Sequence, residues 1–227
     1  SGGAFDSMLS ALLLTLFIVL GVCMTFAVSK VLSMTVLKGI PSSFTLELPP
    51  YRRPQIGKVI VRSVFDRTLF VLGRAIAVAA PAGLLIWIMA NVQLDGITLL
   101  AHFSGFLDPF ARLLGMDGVI LMAFILGLPA NEIVIPIIIM AYMAQGSLLE
   151  FDSLAQLRDL LVNNGWTWIT AVSTMLFSLM HWPCTTTLLT IRKESGSLKW
   201  TAMSFLVPTV CGIVLCFAFA TVARMFV

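Results

Sequence analysis

The hydrophobic residues of this chain lie in long runs that contain no Asp, Glu, Lys or Arg. Runs of this kind occupy residues 7–29, 75–94, 160–191 and 200–223. A further run, 118–149, contains a single charged residue, Glu132. Each run is long enough to cross roughly 30 Å of hydrocarbon at about 1.5 Å per helical residue. The pattern predicts an all-α, polytopic helical membrane protein.

The runs and their interruptions also predict an architecture. We expect about four full spans, one broken or re-entrant helix pair and a basic amphipathic helix at the membrane surface. Residues 1–45 are expected to form a connecting span and a cytoplasmic loop, and residues 46–227 a second region. That region is predicted to contain an amphipathic helix at 55–67, spans near 68–90 and 201–223, and broken segments at 118–144 and 166–191.

Composition excludes two other classes of protein. Hydrophobic residues make up 59% of the chain and charged residues 11%, whereas roughly 25% of a soluble domain is charged. The net charge of +3 is small and dispersed, so no nucleic-acid partner is expected.

The four cysteines include no CxxC pair and indicate no redox compartment. The chain begins Ser1-Gly2-Gly3, with no basic segment before the first run, which favours a fragment without a cleaved signal peptide.

The basic residues set the expected orientation in the membrane. Between Lys30 and Arg74 there are eight basic residues and two acidic ones, so the positive-inside rule places this segment in the cytoplasm. Within it, residues 55–67 alternate basic and apolar side chains, a pattern typical of a helix that lies on the lipid bilayer. The residues expected at the membrane surface are Arg52, Arg53, Lys58, Arg62 and Arg67.

A second basic cluster, Arg192–Lys199, is expected on the same side, so the number of crossings between the two clusters is even. Two predicted spans already supply two crossings, which leaves none or two for 118–144. We therefore expect a re-entrant hairpin that turns at 127–132, and a surface or re-entrant helix outside the membrane within 91–117. The alternative makes 118–144 a plain span and the apolar patch 97–107 a crossing.

Glu132 is a candidate for function because a carboxylate at membrane depth costs several kcal/mol unless it faces a partner, a cavity or an ion. Pro136 cannot donate to the carbonyl of Glu132, and Pro129 cannot donate to that of Ile125, so two backbone oxygens are left free beside it. The alternative is a protonated glutamate hydrogen-bonded between helices.

A second candidate site is His181-Trp182-Pro183-Cys184-Thr185, at the end of a polar stripe on one helix face. Imidazole and thiolate are ligands for Fe(II), Zn(II) or Cu, but two ligands are too few. Glu132 supplies a third only if the two broken helices meet. The alternative is a neutral histidine bonded to a carbonyl and a cysteine packed as a small apolar residue. The candidate path residues are Glu132, His181, Cys184, Asn131, Thr185 and Ser178, with helix breaks at Pro129, Pro136 and Pro183.

Three strings resemble the C-terminal membrane half of bacterial ferrous iron transport protein B (FeoB). They are Leu46-Glu47-Leu48-Pro49-Pro50-Tyr51-Arg52, Gly127-Leu128-Pro129-Ala130-Asn131-Glu132-Ile133, and residues 177–194 with the sequence FSLMHWPCTTTLLTIRKE. The resemblance covers essentially the whole chain, as the connecting span and the second of two gate repeats. In the family, the first break of the first gate repeat usually has a cysteine. The matching string in this chain, GLPANE at residues 127–132, has none.

This resemblance implies Fe(II) as a transported substrate, no bound cofactor in this chain, and a multi-pass location in the bacterial cytoplasmic membrane. The implied partners are the first gate repeat and the GTP-binding domain of the same transporter, and a homo-oligomer stays open. The GTP-hydrolysing domain is not in this chain, and no GxxxxGK[ST] or HExxH string occurs, so we expect no enzyme. The alternatives are a nucleoside-type gate permease and a non-transporting membrane assembly or sensing module.

Overall fold

The computed structural model describes residues 4–36, 55–62, 65, 69–143 and 154–226. Nearly all of these residues are helical, so the predicted all-α membrane class is confirmed. In chain order the elements are α1 (Ala4–Met34), α2 (Ile56–Arg62), α3 (Phe70–Asn91), β1 (Gln93–Leu94), β2 (Ile97–Thr98), α4 (Leu99–Leu113), α5 (Gly118–Leu126), a 3-10 helix (Asn131–Ile133), α6 (Val134–Tyr142), α7 (Leu154–Asn163), α8 (Trp168–Met180), α9 (Thr185–Ser195) and α10 (Leu198–Arg224).

The chain divides into two compact units, Ser1–Val59 and Ile60–Val227. The first unit contains α1, whose apolar side chains are exposed along its length. The hydroxyls of Thr15 and Thr25 are satisfied within the helix, since they donate to Ala11 O at 2.8 Å and Gly21 O at 2.9 Å. A long apolar helix whose threonine hydroxyls bond to its own backbone is suited to contact with lipid.

The predicted amphipathic helix at 55–67 overlaps α2, where Ile60 and Val61 are exposed together with Lys58. Arg52, Arg53 and Arg67 lie outside the described residues, and so does the side chain of Arg62. Their position at the membrane surface therefore stays a prediction.

Two of the described helices are long and apolar enough to cross a membrane, at Ser7–Met34 and Leu198–Arg224. The count rises to three if α4 and α5, which meet at an angle of 108°, are taken as one span. The predicted four full spans are therefore not established. The difference arises because part of the apolar length lies in interrupted helices, such as the segment Asn131–Tyr142.

A two-stranded hairpin, which the sequence analysis did not predict, connects α3 to α4. Gln93 pairs with Thr98 and Leu94 with Ile97 around the Asp95-Gly96 turn. Both turn residues have positive φ, 53° and 78°, as a type I′ hairpin turn requires. An Asp-Gly pair between apolar residues is the sequence signal that indicates such a turn.

Helix α4 is the helix predicted within 91–117, and it is amphipathic. Thr98 begins it by accepting a hydrogen bond from the amide of Ala101 at 3.2 Å. Leu100, Ser104 and Ala111 are buried, whereas Phe106 on another face is 79% exposed. A helix of this kind packs one face on the protein and offers the other to lipid or interface.

The centre of the second unit is a helical hairpin formed by α5 and α6. Ile120, Met122, Ile137 and Ile138 in these two helices are completely buried. Both helices are apolar all round, which is typical of helices enclosed by other elements. The two helices are also joined at the end opposite their turn. There the Tyr142 hydroxyl at the end of α6 donates to the Asp117 carboxylate at the start of α5.

Tyr142 connects the hairpin to α8 as well, because the indole Nε1 of Trp166 donates to its hydroxyl at 2.8 Å. Asp117 also caps α5 by accepting from the amide of Ile120 at 2.8 Å. One end of the unit therefore contains the starts of α5 and α8 and the end of α6. The end of α10 lies there too, because Arg224 donates to the carbonyl of Arg112 at the end of α4. We call this the Arg224 end.

Replacing Tyr142 by phenylalanine is expected to destabilise the protein by about 2–3 kcal/mol, because the carboxylate loses a donor and the indole loses its acceptor. The measurement is the unfolding transition of the purified protein in detergent. Trp166→Phe removes only one of the two bonds and is expected to cost about 1 kcal/mol. A Tyr142→Phe variant as stable as the parent would contradict the connecting role of this hydroxyl.

Helices α8 and α9 together pack along α10. Gly212 of α10 lies against the end of α8, where a Cβ atom would come within 3.1 Å of Met180 O. Nearer the Arg224 end, the thiol of Cys216 donates to the Ser173 carbonyl at 3.4 Å, and both residues are buried. These contacts hold the interruption between α8 and α9 at a defined level beside α10.

Candidate functional site

The first part of the candidate site is the turn between α5 and α6. Helix α5 ends at Leu126, Pro129 lies in the turn, and a 3-10 helix begins at Asn131. Gly127 allows the tight return, since a Cβ there would lie 2.5 Å from Cγ2 of Val134 and 2.9 Å from the carbonyl of Ala123. The chain leaves the helix because Pro129 has no amide to donate and Gly127 permits a close approach of backbone.

Pro136 has a different role from the one expected of a helix break. It is the third residue of α6, within the first turn. Proline is tolerated there because amides in the first turn have no partner inside the helix. Pro136 therefore begins α6 and does not interrupt it.

The second part is the interruption between α8 and α9. Helix α8 ends at Met180, and His181 closes it by donating its amide to Phe177 O at 2.7 Å. Pro183 lies outside the helices, and Cys184, in extended backbone, precedes the first turn of α9. Residues 181–184 thus lie between the two helices, and α9 starts at Thr185.

The two interruptions meet. The carbonyl of Leu128 accepts two hydrogen bonds from Thr185, one from its amide at 2.8 Å and one from its Oγ1 at 3.1 Å. This carbonyl is freed because α5 has already ended, and the amide is freed because α9 has just begun. Each interruption therefore satisfies backbone groups that the other leaves open. We call this contact the junction.

His181 lies against aromatic side chains beside the junction. Its ring centroid is 5.1 Å from that of Phe124, 6.1 Å from Phe177 and 6.0 Å from Trp182. Its Nδ1 is 2.8 Å from the carbonyl of Ser178, and a carbonyl only accepts, so this nitrogen carries the proton. In the neutral ring, Nε2 then keeps a free lone pair that points away from that bond.

Three buried polar atoms on the two interruptions have no hydrogen-bond partner among the described residues. They are Nε2 of His181, Oδ1 of Asn131 and Nε1 of Trp182. Unpaired buried atoms are rare, and each calls for an explanation such as a water molecule, an ion or a ligand. Two of these atoms are acceptors, which suits a cation, and one is a donor.

Cys184 is half-buried at the start of α9. Its Sγ lies 3.1 Å from Oγ1 of Thr186 and 3.2 Å from Oγ1 of Thr187. Both hydroxyls are able to donate to this sulfur, and the thiolate is the form of cysteine that binds metals. The sequence analysis did not single out Thr186 and Thr187, although a run of three threonines directly after a helix start places their hydroxyls there.

Glu132 differs in burial from the other two expected ligands. Its side chain is exposed, whereas His181 and Cys184 are partly buried. In the part of the chain that the structure describes, no three His, Cys, Asp or Glu side chains lie close enough to hold a metal ion. The interruptions do meet, as the ligand hypothesis requires, but they meet through Leu128 and Thr185. The three expected ligands therefore do not form one metal-binding group among the described residues.

Ser178 contributes its carbonyl to His181, and its side chain is exposed. The polar stripe on α8 also includes Thr170 and Thr174. Thr174 is buried, and its hydroxyl donates to Thr170 O at 2.8 Å. This threonine is therefore occupied within its own helix and is not free to line a path.

Comparison with known proteins assigns the family. A sequence profile described as "Gate: Nucleoside recognition" matches residues 72–198, which include the α5–α6 hairpin and both interruptions. The chain belongs to the Gate family. A second profile, described as "Ferrous iron transport protein B C terminus", matches residues 14–67. No solved structure matches this chain.

Several relatives of this Gate protein are similar over nearly its whole length. The chain is 31% identical to "Fe(2+) transporter FeoB" of Staphylococcus aureus, in an alignment that covers 96% of the chain and 32% of the relative. The protein of the same name from Synechocystis is 29% identical over 92% of the chain and 33% of the relative. That of Campylobacter jejuni is 25% identical over 91% and 35%. The chain spans about a third of the length of these relatives, and the resemblance to ferrous iron transport protein B is confirmed.

Proposed function

We propose that this chain forms part of the Fe(II) path of a ferrous iron transporter in the bacterial cytoplasmic membrane. The observation that carries the proposal is the junction, where two interrupted helices meet and where the acceptors Asn131 Oδ1 and His181 Nε2 have no partner among the described residues. Interrupted helices in contact with each other are a recurrent way to build an ion site inside a membrane. The similarity to relatives named Fe(2+) transporter supports the choice of ion.

In this proposal the α5–α6 hairpin is re-entrant and the pair α8 and α9 is one interrupted crossing. The Tyr142–Asp117 bond supports the first statement, since both ends of the hairpin lie at the Arg224 end. Arg192 and Lys193 at the end of α9 support the second, because they lie beyond the interruption, where the positive-inside rule favours the cytoplasm. The Arg224 end then faces outward.

The ion is proposed to exchange water for ligands at the junction. A thiolate at Cys184 and an imidazole at His181 favour Fe(II) over Mg(II), which prefers oxygen ligands and dehydrates reluctantly. Glu132, on the exposed side of the turn, is proposed to attract the cation towards the junction. The first gate repeat and a GTP-binding domain complete the transporter in this proposal, and this chain itself catalyses no reaction.

Anaerobic Fe(II) binding to the purified protein tests this function. We expect His181→Ala and Cys184→Ala each to weaken Fe(II) binding by about tenfold or more, because each removes a ligand atom. Cys211→Ala is the matched control, since Cys211 is also a half-buried free cysteine and lies on α10. Equal Fe(II) affinity for the parent and both site variants would contradict the proposal.

A nucleoside-type permease is the second candidate, and the aromatic surroundings of the junction favour it. Trp182 is stacked on Phe205 with ring centroids 5.7 Å apart and is in edge contact with Phe177 at the same distance. Rings beside unpaired donor and acceptor atoms suit a planar base. Titration calorimetry with nucleosides, with and without Fe(II), separates the candidates, since nucleoside binding that is lost in Trp182→Leu and unaffected by metal supports this one.

A further inference from the structure

A polar cavity of about 370 Å³ opens at the Arg224 end, apart from the junction. Three segments enclose it, namely the corner between α4 and α5, the connection from α7 to α8, and the last turn of α10. Side chains that line it include Arg112, Asp117, Asn164, Thr167, Thr170 and Arg224.

The donors of this cavity are mostly free. Arg112 has Nε 2.6 Å from Oδ2 of Asp108, and its side chain is 75% exposed, so its terminal nitrogens remain available. Arg224 donates one bond to the carbonyl of Arg112 and has no carboxylate partner among the described residues. A guanidinium has five N–H groups in a planar fork that matches phosphate or carboxylate oxygens.

The acceptors of the cavity are largely occupied. Asp117 accepts from the amide of Ile120 with one oxygen and from the hydroxyl of Tyr142 with the other. Thr167 accepts from the amide of Thr170 at 3.3 Å as the residue that precedes α8. The start of α8, with its positive end of the helix dipole, thus borders the same space as the two guanidinium groups. The lining carries two guanidinium groups and one carboxylate, Asp117, so its net positive charge favours an anion.

Apolar side chains flank this polar cavity. Met225 and Phe226, directly after Arg224, are 78% and 85% exposed, and Leu113, next to Arg112, is 49% exposed. The cavity also lies at the end of α10, a helix long enough to cross the membrane. Polar donors at a helix end with apolar side chains next to them match the boundary between lipid headgroups and acyl chains.

We propose that this cavity binds the phosphate group of an anionic membrane phospholipid. Arg224 and the terminal nitrogens of Arg112 bind the phosphate oxygens, and Leu113, Met225 and Phe226 contact the acyl chains. The bound headgroup joins the α4–α5 corner, the α7–α8 connection and the end of α10. The proposal does not depend on which solute passes the junction.

Native mass spectrometry of the purified protein in a neutral detergent tests this site. Phosphatidylglycerol, phosphatidylcholine and inorganic phosphate are added separately, and the bound fraction is measured for each. We expect Arg224→Gln to weaken phosphatidylglycerol binding by about tenfold or more, because a charge-assisted bidentate contact is lost. Arg192→Gln is the matched control, since Arg192 is also exposed but lies in the last turn of α9 and does not line the cavity. Its affinity is expected to equal that of the parent.

Arg224→Lys provides a second variant that keeps the charge and loses the planar fork. We expect it to bind phosphatidylglycerol with an affinity between those of the parent and Arg224→Gln. Circular dichroism of each variant confirms its helical content. Equal lipid binding by the parent and Arg224→Gln, or an equal loss in Arg192→Gln, overturns the proposal. Displacement of the lipid by millimolar inorganic phosphate, with no lipid retained, overturns the lipid assignment.

Discussion

Replacing Gly118 by alanine is expected to destabilise the protein by about 2–3 kcal/mol, because α4 and α5 cross at this residue with no room for a side chain. A Cβ at Gly118 would overlap the carbonyl oxygen of Ser104 and lie 2.9 Å from the amide nitrogen of Asp108. Both obstacles are backbone atoms, so no rotation of a side chain relieves the overlap. The amide of Gly118 also donates to Oδ1 of Asp108 at 3.1 Å, and separating the helices would lengthen this bond.

Gly105→Ala is the matched control for this substitution. Gly105 lies in the middle of α4, next to Ser104, and a Cβ there meets nothing within 4 Å. Alanine is the better helix former by about 1 kcal/mol, so Gly105→Ala is expected to leave stability unchanged or to raise it. The measurement is the unfolding midpoint in detergent for both variants. If the two variants have the same midpoint, the close crossing at Gly118 does not contribute to stability.

Replacing Cys184 by serine is expected to lower Fe(II) uptake about ten- to a hundredfold, and Mn(II) uptake less, in a complete transporter that contains this chain. The reason is that a soft thiolate ligand becomes a hydroxyl, which discriminates poorly between these two ions. Anaerobic uptake of radioactive Fe(II) and Mn(II) into proteoliposomes measures both effects. Cys211→Ser is expected to transport like the parent. If Cys184→Ser also transports Fe(II) like the parent, this cysteine serves packing only.

A double variant with Glu132→Gln tests how the two interruptions cooperate. The sequence alone predicts coupled effects, because it allows Glu132, His181 and Cys184 to share one ion. The structure predicts that the effects on the logarithm of the rate add, because Glu132 is exposed and no three-ligand group exists among the described residues. A double variant that is no slower than the slower single variant would show that both residues act on one bound ion.

The positions of the helix interruptions were predictable from local chemistry. Pro129 and Pro183 lack the amide that a helix requires, and Gly127 permits a tight return. The turn between α5 and α6 and the extended residues before α9 lie where these residues stand. Pro136 was misjudged because the same missing amide is harmless in the first turn of a helix, and sequence alone does not say where that turn begins.

The β hairpin before α4 could also have been predicted from the sequence, because Asp95-Gly96 is a typical hairpin turn. Its two-residue strands are difficult to recognise among neighbouring apolar residues. The bend of 108° between α4 and α5 could not be predicted from the sequence, because it depends on the absence of a side chain at Gly118 opposite Ser104. A glycine in a sequence does not show which backbone approaches it.

The amino-acid sequence by itself determined the membrane class, the long apolar helices α1 and α10, and the two interruptions, since these depend on hydropathy over one segment and on residues next to one another. Only the tertiary structure decided that the interruptions meet, because the bond from Thr185 to Leu128 joins residues 57 positions apart. It also decided that Glu132 is exposed while Asn131 and His181 keep buried acceptors that no described residue pairs. Hydropathy does not distinguish the faces of helices that are apolar all round, so their partners are chosen by packing between distant segments.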